Sequence, residues 1–327
     1  MARALIAAIE AGGAYVDLAS DFQVRDGAGD AGKQAALIAQ AKLLVPDLIA
    51  RGKTVGWQAW LTYHNYYKAP DLLGPLVSRA LGIPYLQVES TRARKRLIGP
   101  WQAFAQASED ACDAADVIFY FTARDADDLR AYAPASQYLV HLSPFLAQTD
   151  LPAVSRGTSM LAVGMMRRPD KLASYALIAQ TLALMNDAEW HLNIAGDGPA
   201  QTEVKALMVP FGAQVSFLGK LDAAGMARAY LDARLLFWPG VNEAFGLSYL
   251  EAQSYGLAVV AQDRPGVRDV VFPRAYPAPD EGPEGLLKCL RAPAPEAAEV
   301  REFIAAHHLL TSARDTIKNG LAKAGIQ

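Results

Sequence analysis

Short apolar runs alternate along the chain with longer stretches in which apolar residues recur three and four positions apart. The runs read as buried strands and the stretches as amphipathic helices. Regular alternation of the two predicts parallel sheets covered on both faces by helices, an α/β fold. Leu5, Ile6 and Ile9 have helical spacing that stops at Gly12-Gly13, and segment 14–18 follows as a strand. Next come a helix over 33–50, a strand over 57–63, a helix over 70–81 stopped by Gly82, and a strand over 83–88. Helices over 101–115 and 124–132 then alternate with strands over 116–122 and 138–142. Prolines and polar residues fill 144–156, which reads as a linker. Beyond it, strands over 158–164, 190–195, 214–218, 235–238 and 258–261 alternate with helices, one of them capped by Asp222, and 296–323 is a closing helical region. The rhythm divides the chain into domains over 1–150 and 157–290, with a helical tail over 295–327 that packs back across them.

Chemistry-bearing residues gather after the strands, where open α/β sheets place their ligands. The stretch 237–263 holds two carboxylates, Glu243 and Glu251, at a separation of about 12 Å if the span between them is helical at about 1.5 Å per residue. Between them, N–H groups near Phe245, Gly246 and Leu247 would face an anion at a helix start. Spacing alone fits an amphipathic helix with two solvated glutamates equally well. After strand 158–164, Arg167, Arg168 and Lys171 place cations beside another helix start, as anion ligands or as plain surface charge. Gly196-Asp197-Gly198-Pro199 is a good turn, and Gly219-Lys220-Leu221 forms the next loop.

In the first half, His64 and Tyr67 follow one strand and Glu89 and Ser90 follow the next. A lone histidine beside tyrosines is either part of a pocket or an ordinary loop residue. The run Arg92-Ala93-Arg94-Lys95-Arg96 either attracts a phosphorylated acceptor or an anionic membrane surface, or is a solvated charge run. The loop 27–32 is glycine-rich, but no strand runs into it, so it reads as a flexible surface loop and not as a dinucleotide fingerprint. That argues against a dehydrogenase.

Composition narrows the class. Of 327 residues, 52% are apolar and 20% charged, which fits a folded globular chain with room for two cores. A net charge of −3 gives no overall pull toward nucleic acid. Only Cys112 and Cys289 are present, which suggests neither a disulfide framework nor a zinc site and favours a reducing, cytoplasmic setting with at most peripheral membrane contact. No cluster with metal-ligand spacing stands out.

The pair Glu243-x7-Glu251 within NEAFGLSYLEAQSYGLAVVA resembles the signature of the retaining glycosyltransferases of family four, glycosyl transferases group 1. The similarity runs from about Met160 through the second half and, more weakly, over the first. It implies a GT-B fold, two Rossmann-like domains facing across a cleft, and metal-independent transfer of a sugar from a nucleotide-diphosphate donor with retention. By that resemblance Arg167 and Lys171 hold the diphosphate, Glu243 the donor sugar and Glu251 the ribose. Gly164, Arg168, Gly196, Asp197, Gly219, Lys220, Leu221, Ala244, Phe245, Gly246 and Leu247 complete the donor side. The usual arginine directly follows the glycine, where this chain has Met165, so Arg167 or Arg168 takes its place. His64, Tyr67, Glu89, Ser90 and Arg92 fall on the acceptor side, where many relatives carry a histidine that this chain replaces with Glu89 or Ser90. The N-terminal domain lacks the first strand such a fold begins with, which predicts an incomplete sheet around an empty central position. A non-catalytic nucleotide-sugar binder and a GT-B nucleotide-sugar epimerase are the alternative readings.

Overall fold

The alternation of runs and periodic stretches becomes two separate parallel sheets. The computed structural model describes residues 1–186 and 189–326, and the chain divides into one unit of Met1–Ser143 with Ala313–Gln327 and another of Pro144–Ser312. In the first unit, α1 (Ala2–Ala11) and α2 (Ala31–Val55) precede β1 (Trp60–Tyr63), α3 (Gly74–Leu81), β2 (Tyr85–Val88), α4 (Gln102–Ala114), β3 (Val117–Tyr120), α5 (Ala123–Tyr132) and β4 (Tyr138–His141). The strands pair in parallel in the order β1-β2-β3-β4. Side chains alternate across a strand, so Ile118 and Tyr120 join Ala41, Leu48, Val77 and Leu129 in one core. Phe119 points the other way and meets Gly320 of the C-terminal segment so closely that a Cβ there would lie 2.2 Å from the ring.

Four expectations for this unit are corrected. Segment 14–18 forms no strand; Tyr15 and Leu18 are 86% and 72% exposed, and the segment is tied to α2 and its exit through Asp17, which pairs with Arg51 and accepts from Trp57 Nε1 at 2.9 Å. Side-chain anchoring replaces a ladder there. No strand precedes β1 among the described residues, yet β1 is an edge strand and the three pairings run unbroken, so no empty central position interrupts the sheet. The loop over 27–32 is not loose either: the buried Asp26 carboxylate accepts from the backbone N–H of Ala28, Gly29 and Asp30 and from Gln34 Nε2 at 2.7 Å. The helix expected over 70–81 begins only at Gly74, behind a turn in which Asp71 accepts from the N–H groups of Leu73 and Gly74.

The second unit runs β5 (Ser159–Val163), α6 (Asp170–Ala183), β6 (Leu192–Ala195), α7 (Gln201–Met208), β7 (Val215–Gly219), α8 (Ala223–Leu231), β8 (Ala233–Phe237), α9 (Leu247–Ser254), β9 (Ala258–Val260), α10 (Gly282–Arg291) and α11 (Ala297–His307). Its sheet is parallel in the order β7-β6-β5-β8-β9. The chain steps outward from β5 to β7, then returns to place β8 on the other side of β5, so the order reverses between β5 and β8. α12 (Leu310–Lys323) follows α11 after a break at 308–309, and from Ala313 onward the chain belongs to the first unit. The tail is thus divided between the units.

Candidate functional site

In an open parallel sheet the loops after two strands diverge where the strand order reverses, and the opening between them admits a ligand. In the second unit those loops are 164–169, after β5, and 238–246, after β8. The loops at this edge are knitted through their backbones. Gly164 N–H donates to Ala195 O at 3.1 Å, Met166 N–H to Asp197 O at 2.7 Å, and Gly196 N–H to Gly219 O at 2.8 Å. Gly196 sits at φ 138, and a Cβ on it would lie 2.0 Å from Gly164 O, so only glycine lets the two loops approach. The turn after β8 is fastened to the start of α6: Asn242 Nδ2 donates to Asp170 Oδ1 at 2.8 Å, Val241 N–H to Ser174 Oγ at 3.1 Å, and Lys171 Nζ pairs with Glu243 Oε1. Positions 170, 171 and 174 share one helical face, so a single turn of α6 makes all three contacts.

Lys171 and Glu243 are 14% and 11% exposed at the side chain, and the same Glu243 oxygen accepts from Trp238 Nε1 at 2.8 Å. Lys171 Nζ also lies 5.5 Å from the centre of the Trp238 ring, itself packed edge-on against Tyr175. Glu243 is in the turn and not on the helix. α9 begins at Leu247 behind Gly246, which sits at φ 65, and no side chain caps it. The helical span expected between Glu243 and Glu251 is therefore only half helix. The uncapped first turn of α9 still presents N–H groups, as an anion site requires. Glu251 stands in the second turn, where its Oε2 accepts from Tyr230 OH at 2.7 Å. Burial raises its carboxyl above the ordinary carboxylate range, against the pull of that hydrogen bond, and burial together with Glu251 pushes the Tyr230 phenol up.

The cations expected to hold an anion divide. Arg168 pairs with Glu203 on α7, whereas Arg167 is exposed and makes no ion pair among the described residues. Lys220 is exposed on its loop, and Leu221, Ala244 and Phe245 lie along the same edge. Sequence reasoning took Trp238 only as part of a buried strand and made no reading of Tyr230; their polar tips hold the two glutamates. A tryptophan closing a strand, five positions before a glutamate, is the one signal that marked the first of them.

In the first unit, His64 is exposed and Glu89 half-buried, with Nδ1 and Oε2 3.6 Å apart; Ser90 is fully buried; Tyr67 packs edge-on to Trp101. Arg92 is corrected. It is buried and hydrogen-bonded at 2.7 Å to both Glu109 and Asp113, successive turns of α4, so it cannot reach an acceptor or a membrane. Arg94 lies over the Tyr132 ring and Arg96 over Tyr67 and Trp101, which leaves Lys95 as the one member of the run with no charge or ring partner among the described residues. The described residues include no helix long and apolar enough to cross a membrane.

Two parallel sheets, one with a ligand edge built this way, define an α/β fold of the GT-B type, and comparison with known proteins agrees. The chain superposes on lipopolysaccharide outer core galactosyltransferase WaaB with a TM-score of 0.64 at 14% identity, covering 88% of this chain and 81% of that one. Residues 157–292, within the second unit, match the family model described as glycosyl transferases group 1. D-inositol 3-phosphate glycosyltransferase of Geodermatophilus obscurus is 26% identical over 279 residues, 76% of this chain and 60% of that protein. Phosphatidyl-myo-inositol mannosyltransferase of Mycobacterium tuberculosis is 31% identical over 117 residues, 36% of this chain and 31% of that one. The chain thus spans less than two thirds of the length of these relatives.

Proposed function

We propose that the chain is a retaining glycosyltransferase that moves a sugar from a nucleotide-diphosphate donor to a hydroxyl acceptor. The observation that carries this reading is the meeting of Lys171, in the first turn of α6, with Glu243, in the loop after β8, at the edge where the strand order reverses and beside the uncapped start of α9. The acceptor's hydroxyl oxygen bonds to the sugar's anomeric carbon as the C–O bond to the diphosphate breaks; the bonding pair leaves as negative charge on the departing phosphate, which takes up the hydroxyl proton. Lys171, Arg167 and the N–H groups of α9 stabilise that charge as it develops, which lowers the barrier to departure. Glu243 holds the sugar's hydroxyls beside the reacting carbon, and Glu251 accepts from the ribose. A cation on the protein supplies what a divalent metal supplies in other transferases, so the reaction runs without one.

Incubation with a panel of UDP- and GDP-sugars, scored for transfer and for slow hydrolysis to free nucleotide, tests the reading. Turnover that persists in EDTA and falls sharply in Lys171→Ala is the expected result. Tight nucleotide-sugar binding without turnover would instead identify a non-catalytic binder, and loss of activity on chelation, restored by Mg²⁺, would overturn the assigned electrostatics.

A further inference from the structure

The carboxyl ends of the strands in the second unit carry the site described above; their amino ends border a cavity of about 460 Å³. It lies where β8 and β9 begin, beside the last turn of α10, and part of its lining is apolar: Leu235 and Ala258, which are register partners, together with Val260 and Leu290. Three arginines from three separate segments line it too. Arg234 is the second residue of β8, Arg274 belongs to the stretch between β9 and α10, and Arg291 is the last residue of α10. Among the described residues Glu189 is the one carboxylate on the walls. Crowding like charges into a partly apolar recess is unfavourable, because each guanidinium repels the others and gives up water.

Their partners do not account for the arrangement. Arg274 donates from one terminal nitrogen to Cys289 O at 3.3 Å and to Cys289 Sγ at 2.9 Å, and its guanidinium carbon lies 5.3 Å from the centre of the Tyr276 ring. Capping a carbonyl in the last turn of α10 is a structural task for an arginine. It leaves Nε of the same group buried without an acceptor among the described residues, and an unmet N–H on a charged group is among the costlier defects a fold can keep. The Arg234 side chain is exposed and makes no hydrogen bond or ion pair among the described residues. Arg291 already has a partner and adds only its charge. Arginine presents its N–H groups as a planar fork that fits two oxygens of a carboxylate or phosphate. The cavity also falls within the range of about 300–1,000 Å³ that holds small molecules. We propose that Arg234 and Arg274 form a binding site for a small organic oxyanion, a phosphate monoester or a carboxylate, whose apolar body rests on Leu235 and Leu290. Arg234 stands four residues before Trp238, about 13 Å along an extended strand at about 3.3 Å per residue. The site is therefore separate from the edge that holds Lys171 and Glu243, and binding there requires no transferase activity.

Ligand-observed NMR titrations with phenyl phosphate and benzoate, and with phenol as the uncharged control, read the site without any turnover. The wild type is expected to bind at least one of the two anions, and phenol about 10-fold more weakly or not at all; whichever anion binds identifies the oxyanion the site takes. Arg234→Gln, a change at an exposed side chain with no partner to lose, is expected to weaken that binding about 10-fold. Arg274→Lys keeps the charge and loses the fork, and is expected to weaken it several-fold. Lys171→Ala should bind the anion as the wild type does, which separates this cavity from the opposite edge of the sheet. Failure of both anions to bind the wild type, undiminished binding by Arg234→Gln, or loss of binding in Lys171→Ala overturns the site. Should Arg274→Lys not fold, Arg234→Gln decides alone.

Discussion

Glu251 is held in conflict with its own charge. Burial favours its protonated form, and a carboxyl whose folded pKa is raised contributes stability that is full below its unfolded value of 4.5 and lost as pH rises through the folded one. As pH rises above 4.5 the carboxyl therefore comes to burden the fold. Glu251→Gln keeps an acceptor for Tyr230 and removes the charge. It is expected to melt no lower than the wild type at pH 7, with any advantage vanishing below about pH 4.5, and to bind UDP or GDP roughly 10-fold more weakly, the worth of one charge-assisted bond. Thermal melts across pH and calorimetric titration check both halves; a variant less stable at pH 7 than at pH 4 relative to wild type would reverse the sign. The two glutamates themselves were legible in the sequence. Their partners were not, because nothing in Trp238 or Tyr230 distinguishes a tip bonded to a carboxylate from one buried for its area alone. Arg92 shows the same limit: a charge run is visible in the chain, but the α4 face that neutralises one of its members is a tertiary fact.

Among the elements, strands and helices of both units were readable because each buries an apolar face with its own period. The junctions were harder. α9 begins at a left-handed Gly246 with no capping side chain, so the usual Ser, Thr, Asp or Asn signature is missing and the start is read several residues too early. Segment 14–18 carries strand-like residues but is anchored by Asp17 to Arg51 and Trp57, long-range contacts that periodicity does not encode. The loops at the ligand edge depend on backbone closeness that only a glycine permits. Gly196→Ala should cost about 3 kcal/mol or more, the sum of a forbidden φ and a clash with Gly164 O. Urea unfolding measures it, and a loss under about 0.5 kcal/mol, within the range of ordinary surface substitutions, would show that the loops are not packed as described.

For the molecule as a whole, the alternation of runs and stretches was enough to give two parallel sheets, and the proline-rich segment after β4 marked the passage from one to the other. What covers the second face of the first sheet was not readable, since helical periodicity in 310–323 states that a face is buried but not against what. The answer is Phe119 against Gly320. Gly320→Leu overpacks that contact and should destabilise the first unit by about 1–3 kcal/mol. Amide exchange in β3 should then speed up about 10-fold or more while β5 and β6 keep their protection; equal acceleration in both sheets would mean that the contact is not local to the first unit. The same contact sets an order of events during synthesis. A ribosome that has released residues 1–143 has made every strand of the first sheet but not the segment that shields Phe119, and the whole second unit must be translated before that segment emerges. The first unit therefore waits with an apolar face open while its successor folds, the reverse of the usual precedence of N-terminal domains, and chaperone capture of nascent chains should peak in that interval.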